Sequence, residues 1–179
     1  MKKEFIKLSG ILCIITLVAA LLLACVNNIT APRIELASQM ASENAMKSIL
    51  SEAETFEKAD EYITKGFSGK NLAGYCVSLT TAGFGGDIEV MVGIGADGTV
   101  KGIEILNHSE TAGLGAKATG EEFKNQFRGK IPYLTVVKKE TESADEIKAI
   151  TGATITSKAI SDAVATAYEM VVELERGNN

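Results

Sequence analysis

The chain has 179 residues, a net charge of −5 and 46 % apolar residues, which suits one globular domain plus an appendage. Residues 1–33 carry four basic side chains and one acid, so residues 34–179 hold a net charge of −8. That acidic balance argues against nucleic acid as a partner, because a phosphate backbone calls for a basic face.

The appendage comes first. After Lys2, Lys3, Glu4 and Lys7 no charged residue appears until Arg33, and the interval holds the apolar run Ile11 to Val26. With its flanks it is long enough to cross a bilayer of roughly 30 Å. The lysines on its short side predict a cytoplasmic tail, with everything after Val26 outside. Three fates fit this segment: a retained transmembrane helix, a lipid-modified Cys25 after Leu22-Leu23-Ala24, or a cleaved signal. All three put the rest of the chain on the same side of the membrane.

Thr30-Ala31-Pro32 is expected to break the membrane helix, and residues 33–53 read as a polar connecting helix. Its apolar positions Ile34, Ala37, Ala41, Ala45 and Ile49 share a face. Short strands follow from Leu72 to Leu79, Ile88 to Ile94 and Val100 to Leu106. Gly83-Phe84-Gly85-Gly86 forms a loop, and Ala96-Asp97-Gly98 is a hairpin turn between the last two strands. Cys76, the lone cysteine outside the membrane segment, has no internal disulfide partner and reads as buried filler. His108 is the sole histidine, which gives a zinc site or a histidine dyad little support.

A Gly-bearing loop comes next, Glu110-Thr111-Ala112-Gly113-Leu114-Gly115. Thr119 with Glu122 suggests a capping box for a short helix whose apolar face is Phe123 and Phe127. Tyr133 to Val137 and Glu146 to Ile150 read as strands. A final helix buries Ile160, Val164, Ala167, Val171 and Leu174 and stops at Gly177.

Thr151-Gly152-Ala153-Thr154-Ile155-Thr156-Ser157 stands where the last strand ends and that helix begins. Four hydroxyls there make an ordinary cap or a phosphate site, since a helix's first turn offers free N–H groups and a positive dipole end. The P-loop pattern is excluded, because no second Gly precedes Lys158.

The membrane segment, Gly83-Phe84-Gly85-Gly86-Asp87 with its hairpin, the Glu110–Gly115 loop and the Thr151–Ser157 motif together resemble the extracytoplasmic FMN-binding domain family. Within it the likeness is to the G subunits of Rnf-type ion-translocating ferredoxin:NAD oxidoreductases, with the C subunits of the sodium-pumping NADH:quinone reductase as cousins. The resemblance implies an α+β fold, a twisted antiparallel sheet with packed helices, on a single N-terminal transmembrane helix. The division expected is residues 1–30 for tail and membrane helix, 31–55 for the connecting helix and 56–179 for the domain. It implies covalent FMN, joined as a phosphoester to the threonine of a [Ser/Thr]-Gly-Ala-Thr motif by a flavin transferase that uses FAD.

By position that threonine is Thr154. Thr151, Gly152, Ala153, Thr156 and Ser157 are then supporting residues, and Glu110, Thr111, Gly113, Leu114 and Gly115 supply a wall for the flavin ring. The function implied is electron relay between ferredoxin and NAD in an Rnf-type complex of the bacterial cell membrane. Its partners are the other subunits, the transferase and membrane lipid; no metal and no acid–base catalyst belongs to this chain. A stand-alone tethered flavoprotein and a flavin-free scaffold, its hydroxyls merely a cap, are the alternatives. Two positions depart from the family pattern: Lys148 stands where an acid is common, and Ala112 where proline is usual. Lys158 is a candidate phosphate neighbour or simply a solvated lysine.

Overall fold

The computed structural model describes residues 2–140 and 143–177; the first residue of the expected tail and residues 141, 142, 178 and 179 of the expected domain lie outside these. Residues 1–40 form one compact unit and residues 41–179 another. Helix α1 runs from Lys2–Ile49, and among the described residues it is the one helix long and apolar enough to cross a membrane. Its large side chains from Ile6 to Val26 are exposed, as a bilayer-facing surface requires.

The expected break at Pro32 does not occur, because Pro32 lies inside the continuous helix. Proline removes one amide donor from the ladder, and the helical bonds of the turns on either side carry the helix through it. The Thr30 hydroxyl adds a bond to the Val26 carbonyl at 3.0 Å just before the proline. Of the apolar face expected over residues 33–53, Ala45 and Ile49 are buried, whereas Ile34, Ala37 and Ala41 are exposed.

The second unit is built on a five-stranded antiparallel meander, β1 (Thr55–Lys58), β2 (Ile63–Ser68), β3 (Asn71–Ala82), β4 (Asp87–Gly95) and β5 (Val100–His108), in chain order across the sheet. Side chains alternate between its two faces with the strand period. Tyr75, Val77, Val90, Val92, Ile94, Val100 and Ile103 face one way into the main core. Cys76 and Met91 face the other way, onto Ala45, Ile49 and Leu50. Gly93 permits that second contact, since a Cβ there would run into the Ile49 side chain. The β4–β5 turn is the expected one: Gly98 has φ +78, and the Asp97 carboxylate accepts from the Thr99 N–H at 3.1 Å and its hydroxyl at 2.7 Å.

Helix α3 (Thr154–Gly177) covers the main core with Ile160, Val164, Ala167 and Val171, all buried, and with the partly buried Leu174. Each such branched side chain removed from water stabilises the fold by about 1.5–3 kcal/mol. Between β5 and α3 lie a 3₁₀ turn (Gly115–Thr119), the short helix α2 (Glu121–Lys124), a second 3₁₀ turn (Asn125–Phe127), and a parallel pair, β6 (Thr135–Val137) with β7 (Glu146–Lys148). Phe123 and Phe127 are buried edge-to-face with centroids 5.4 Å apart. Lys124, also buried, ties α2 to β5 through Glu104 at 2.8 Å and to Glu121 at 2.7 Å.

The capping box does not form. Thr119 ends the preceding 3₁₀ turn, so its hydroxyl folds back onto the Ala116 carbonyl at 2.9 Å, and Gly120 takes the cap position without a side-chain bond.

Candidate functional site: a cleft at the start of the last helix

Three chain segments meet at one end of the sheet for a topological reason. In an antiparallel meander the β3–β4 turn and the exit of β5 fall at the same end of the strands, and the pairing of Ile88 with His108 places them side by side. The turn is Gly83–Gly86, closed by a bond from Gly83 N–H to the Gly86 carbonyl at 2.8 Å. The exit is the 109–115 loop. The third segment, residues 149–156, leaves β7 and makes the first turn of α3.

The carboxylate of Glu110 joins all three. Its Oε1 accepts from the amides of Phe84 at 2.7 Å and Gly85 at 3.1 Å, and its Oε2 accepts from the Thr156 hydroxyl at 3.0 Å. The Glu110 amide in turn donates to His108 Nδ1 at 3.2 Å, which gives the only histidine a structural task. Gly83 and Gly115 flank the carboxylate, and a Cβ on either would run into it.

A cleft of roughly 460 Å³ opens where the segments converge. That is within the range of small-molecule sites, about 300–1,000 Å³. Its apolar side is Leu114, Ala149, Ile150 and Ala153, with Phe84 and Ile155 at its edge. Its polar side holds Thr111, Thr151, Thr154, Thr156 and Glu110, and Lys138 is the cation among the lining residues.

Of the residues expected from the sequence, Glu110, Thr111, Leu114, Gly115, Thr151, Gly152, Ala153, Thr154 and Thr156 line this cleft. Gly113 and Ser157 do not. Gly113 is exposed, with φ +79 and open space around it, so glycine is required there by the turn alone. Ser157 is fully buried; its Oγ accepts from the Ile150 amide and donates to the Ala153 carbonyl, both at 2.9 Å.

The four hydroxyls of the motif therefore separate into two pairs. Thr156 and Ser157 are buried and already bonded within the protein. Thr151 is exposed and Thr154 is half-buried, and both open onto the cleft. The first intrahelical bond of α3 runs from Ser157 N–H to the Ala153 carbonyl at 3.0 Å. The amides of Thr154, Ile155 and Thr156 precede it and have no acceptor within the helix, so the positive end of the helix dipole faces the cleft.

Phe84, Lys138, Ala149, Ile150 and Ile155 line the cleft without having been expected there from the sequence. Phe84 lies within the Gly83–Gly86 loop and Ile155 within the hydroxyl motif, while Lys138 follows β6 with no motif around it. Lys158 is exposed and is not among the lining residues. Lys148 lies on the other side of residues 149–151, in a second cleft of roughly 350 Å³, with its ammonium paired to Glu140.

These residues fit a flavin phosphate. Free amides and a cation suit the phosphate, a hydroxyl in the first turn is open to it, and the apolar side suits a fused ring. The one carboxylate present has its charge met by two amides and a hydroxyl.

Comparison with known proteins agrees in both units. Residues 83–169 match the FMN-binding domain family, and residues 1–49 match the RnfG N-terminal region. The chain is 36 % identical to the G subunit of the Na⁺-translocating ferredoxin:NAD⁺ oxidoreductase complex of Acetobacterium woodii, covering 97 % of this chain and 95 % of that one. It is 33 % identical to the G subunit of the proton-translocating complex of Clostridium ljungdahlii, covering 89 % and 88 %. Among solved structures, the C subunit of the Na⁺-translocating NADH-quinone reductase of Parabacteroides distasonis superposes with a TM-score of 0.54 at 26 % identity, covering 63 % of this chain and 61 % of that one. Membrane helix, sheet and cleft taken with these likenesses, the chain belongs to the family of G subunits of Rnf-type ion-translocating oxidoreductase complexes.

Proposed function

We propose that this chain is a membrane-anchored electron-transfer subunit that carries FMN covalently on Thr154. The observation that carries the reading is the separation of the motif's hydroxyls. Thr156 and Ser157 are spent on Glu110, Ile150 and Ala153, whereas Thr154, the first residue of α3, opens on the cleft beside three free amides. Attachment joins Thr154 Oγ1 to the cofactor's phosphorus, with the hydroxyl proton and the adenylate half of an FAD donor leaving. A flavin transferase is the partner that brings that donor.

In this arrangement the first-turn amides of α3 and Lys138 hold the phosphate charge. Leu114, Ile150 and Ala153 exclude water from the ring, and Gly152 keeps the backbone low. Gly152 has φ +81 and already sits so close to Leu114 that a Cβ would stand 3.0 Å from its Cδ2. FMN, when bound, supplies one- and two-electron chemistry; the chain supplies position and surroundings. A covalent tether also holds the cofactor at high effective concentration where free FMN is scarce.

Membership of the G-subunit family supports electron passage between ferredoxin and NAD⁺, with other subunits moving Na⁺ or H⁺. The lysines before the membrane helix support a cytoplasmic N-terminus and an extracytoplasmic flavin domain.

Thr154→Ala tests the assignment. The variant should lose covalent flavin completely while keeping its fold, because among the described residues the Thr154 hydroxyl makes no hydrogen bond that the core depends on. Flavin fluorescence of the denatured chain reads the first outcome and circular dichroism the second. A Thr154→Ala chain still fluorescent after denaturation would transfer the role to Thr151, the other open hydroxyl.

A further inference from the structure

We infer that Glu110 is a positioning residue that acts through Thr156 and does not contact the cofactor. The inference rests on the reading of Thr154 as the attachment point. Both Glu110 oxygens are occupied: Oε1 by the Phe84 and Gly85 amides, Oε2 by the Thr156 hydroxyl. With three of its roughly four acceptor places taken, the carboxylate has little left to offer a ligand, and its negative charge does not favour contact with a phosphate. The three bonds instead fasten the β3–β4 turn and the β5 exit to the third residue of α3.

Pinning Thr156 fixes the roll of the first helical turn. Thr154, two residues earlier, is then held with its hydroxyl at the cleft mouth, and its amide stays aligned with those of Ile155 and Thr156. The same carboxylate holds the Phe84 turn against the cleft, closing one wall. Gly83 and Gly115 belong to this latch, because a side chain at either would displace the carboxylate. The glycine at the end of the Glu110–Gly115 loop is therefore explained by the Glu110 carboxylate, with no ring stacking needed.

The geometry also separates shape from charge. In Glu110→Gln, the amide oxygen can take the Oε1 place and accept from Phe84 and Gly85, while the NH₂ takes the Oε2 place and donates to Thr156 Oγ1. Glu110→Asp keeps the charge but is one methylene short and cannot span both sides. Glu110→Ala and Gly115→Ala remove or displace the latch.

The full-length chain and these variants are coexpressed with a flavin transferase, and the rate of covalent labelling at Thr154 is followed by peptide mass. Hydrogen exchange at the Phe84 and Gly85 amides is measured in parallel on unlabelled chains in detergent. Glu110→Asp, Glu110→Ala, Gly115→Ala and Thr156→Val should label on the order of tenfold slower or worse, the scale set by losing a hydrogen bond to a charged group. Phe84 and Gly85 should exchange faster by a similar factor in the first three. Glu110→Gln should restore most of both properties relative to Glu110→Ala, and Glu110→Asp with Thr156→Val together should be no worse than the weaker single variant.

Wild-type labelling and exchange in Glu110→Asp would overturn the latch. Glu110→Gln labelling as poorly as Glu110→Ala while its amides stay protected would also overturn it, making Glu110 a charge that acts at the phosphate itself. Failure of the unaltered chain to label at Thr154 would refute the attachment reading separately, and the exchange contrast would then judge the latch alone.

Discussion

Ser157 and Thr156 look alike in the sequence and do different work from their neighbours because of what each side chain meets. Ser157 supplies the side-chain acceptor for the buried Ile150 amide. Ser157→Ala should therefore cost about 1–3 kcal/mol, the penalty for stranding a buried donor, measurable as a lower denaturation midpoint with unchanged slope. Thr151→Ala, at an exposed position, should change stability by less than about 0.5 kcal/mol in the same measurement. The motif itself was legible because four hydroxyls at a helix start are visible in the sequence. Which hydroxyls were already committed was not, since the partner of Thr156 lies 46 residues away at Glu110. Gly113 shows the opposite error: it sits in the same short loop as Glu110 and Leu114, but the turn sends it away from the cleft.

Cys76 gives a pH dependence with a definite sign. Burial pushes its thiol from the ordinary 9.0 up to about 12, and burial followed by the Glu175 carboxylate pushes Tyr75 from 10.0 up to about 12. Both groups are neutral in the folded chain where the unfolded chain would ionise. Their contribution is complete below about pH 9 and is lost as pH rises from there towards 12. Thermal midpoints should fall across that window, and Cys76→Val should flatten the first part of the fall. An alkaline limb identical in the variant would show that Cys76 is not its source.

At the scale of elements, the strands with the clearest alternation were the ones readable in advance. The β3, β4 and β5 patterns put Tyr75, Val77, Val90 and Val92 on one face, and the Asp-Gly turn fixed the register of the last two strands. β1 and β2 were missed for a physical reason. Thr55–Lys58 is almost wholly exposed, and Ile63–Ser68 mixes Lys65 and Gly66 with its apolar residues, so neither shows a buried face in sequence. Pro32 misled in the other direction, since one lost amide does not end a helix whose flanking turns keep their bonds. The end of α1 packs on the sheet through Ile49, which lies where Gly93 has no side chain. Gly93→Ala should cost about 1–3 kcal/mol by overpacking that contact, seen as a lowered thermal midpoint of the full chain. An unchanged midpoint would mean that Ile49 can move aside without loss.

For the whole molecule, the acidic charge and the apolar first helix were enough to set the broad class, and the pair of glycine-bearing motifs was enough to suggest the family. What neither supplied was the geometry that makes the cleft: an end of the sheet where residues 83–86 lie beside residues 109–115, and one carboxylate that ties both to α3. The functional reading depends on that geometry presenting Thr154 for a covalent flavin. The decisive measurement is to denature the chain from its native membrane, image flavin fluorescence in the gel, and map the mass of the Thr154 peptide. A fluorescent band is expected, with FMN on Thr154 and no modification on Thr151, Thr156 or Ser157. A dark band with unmodified Thr154, from cells that contain a flavin transferase, would contradict it.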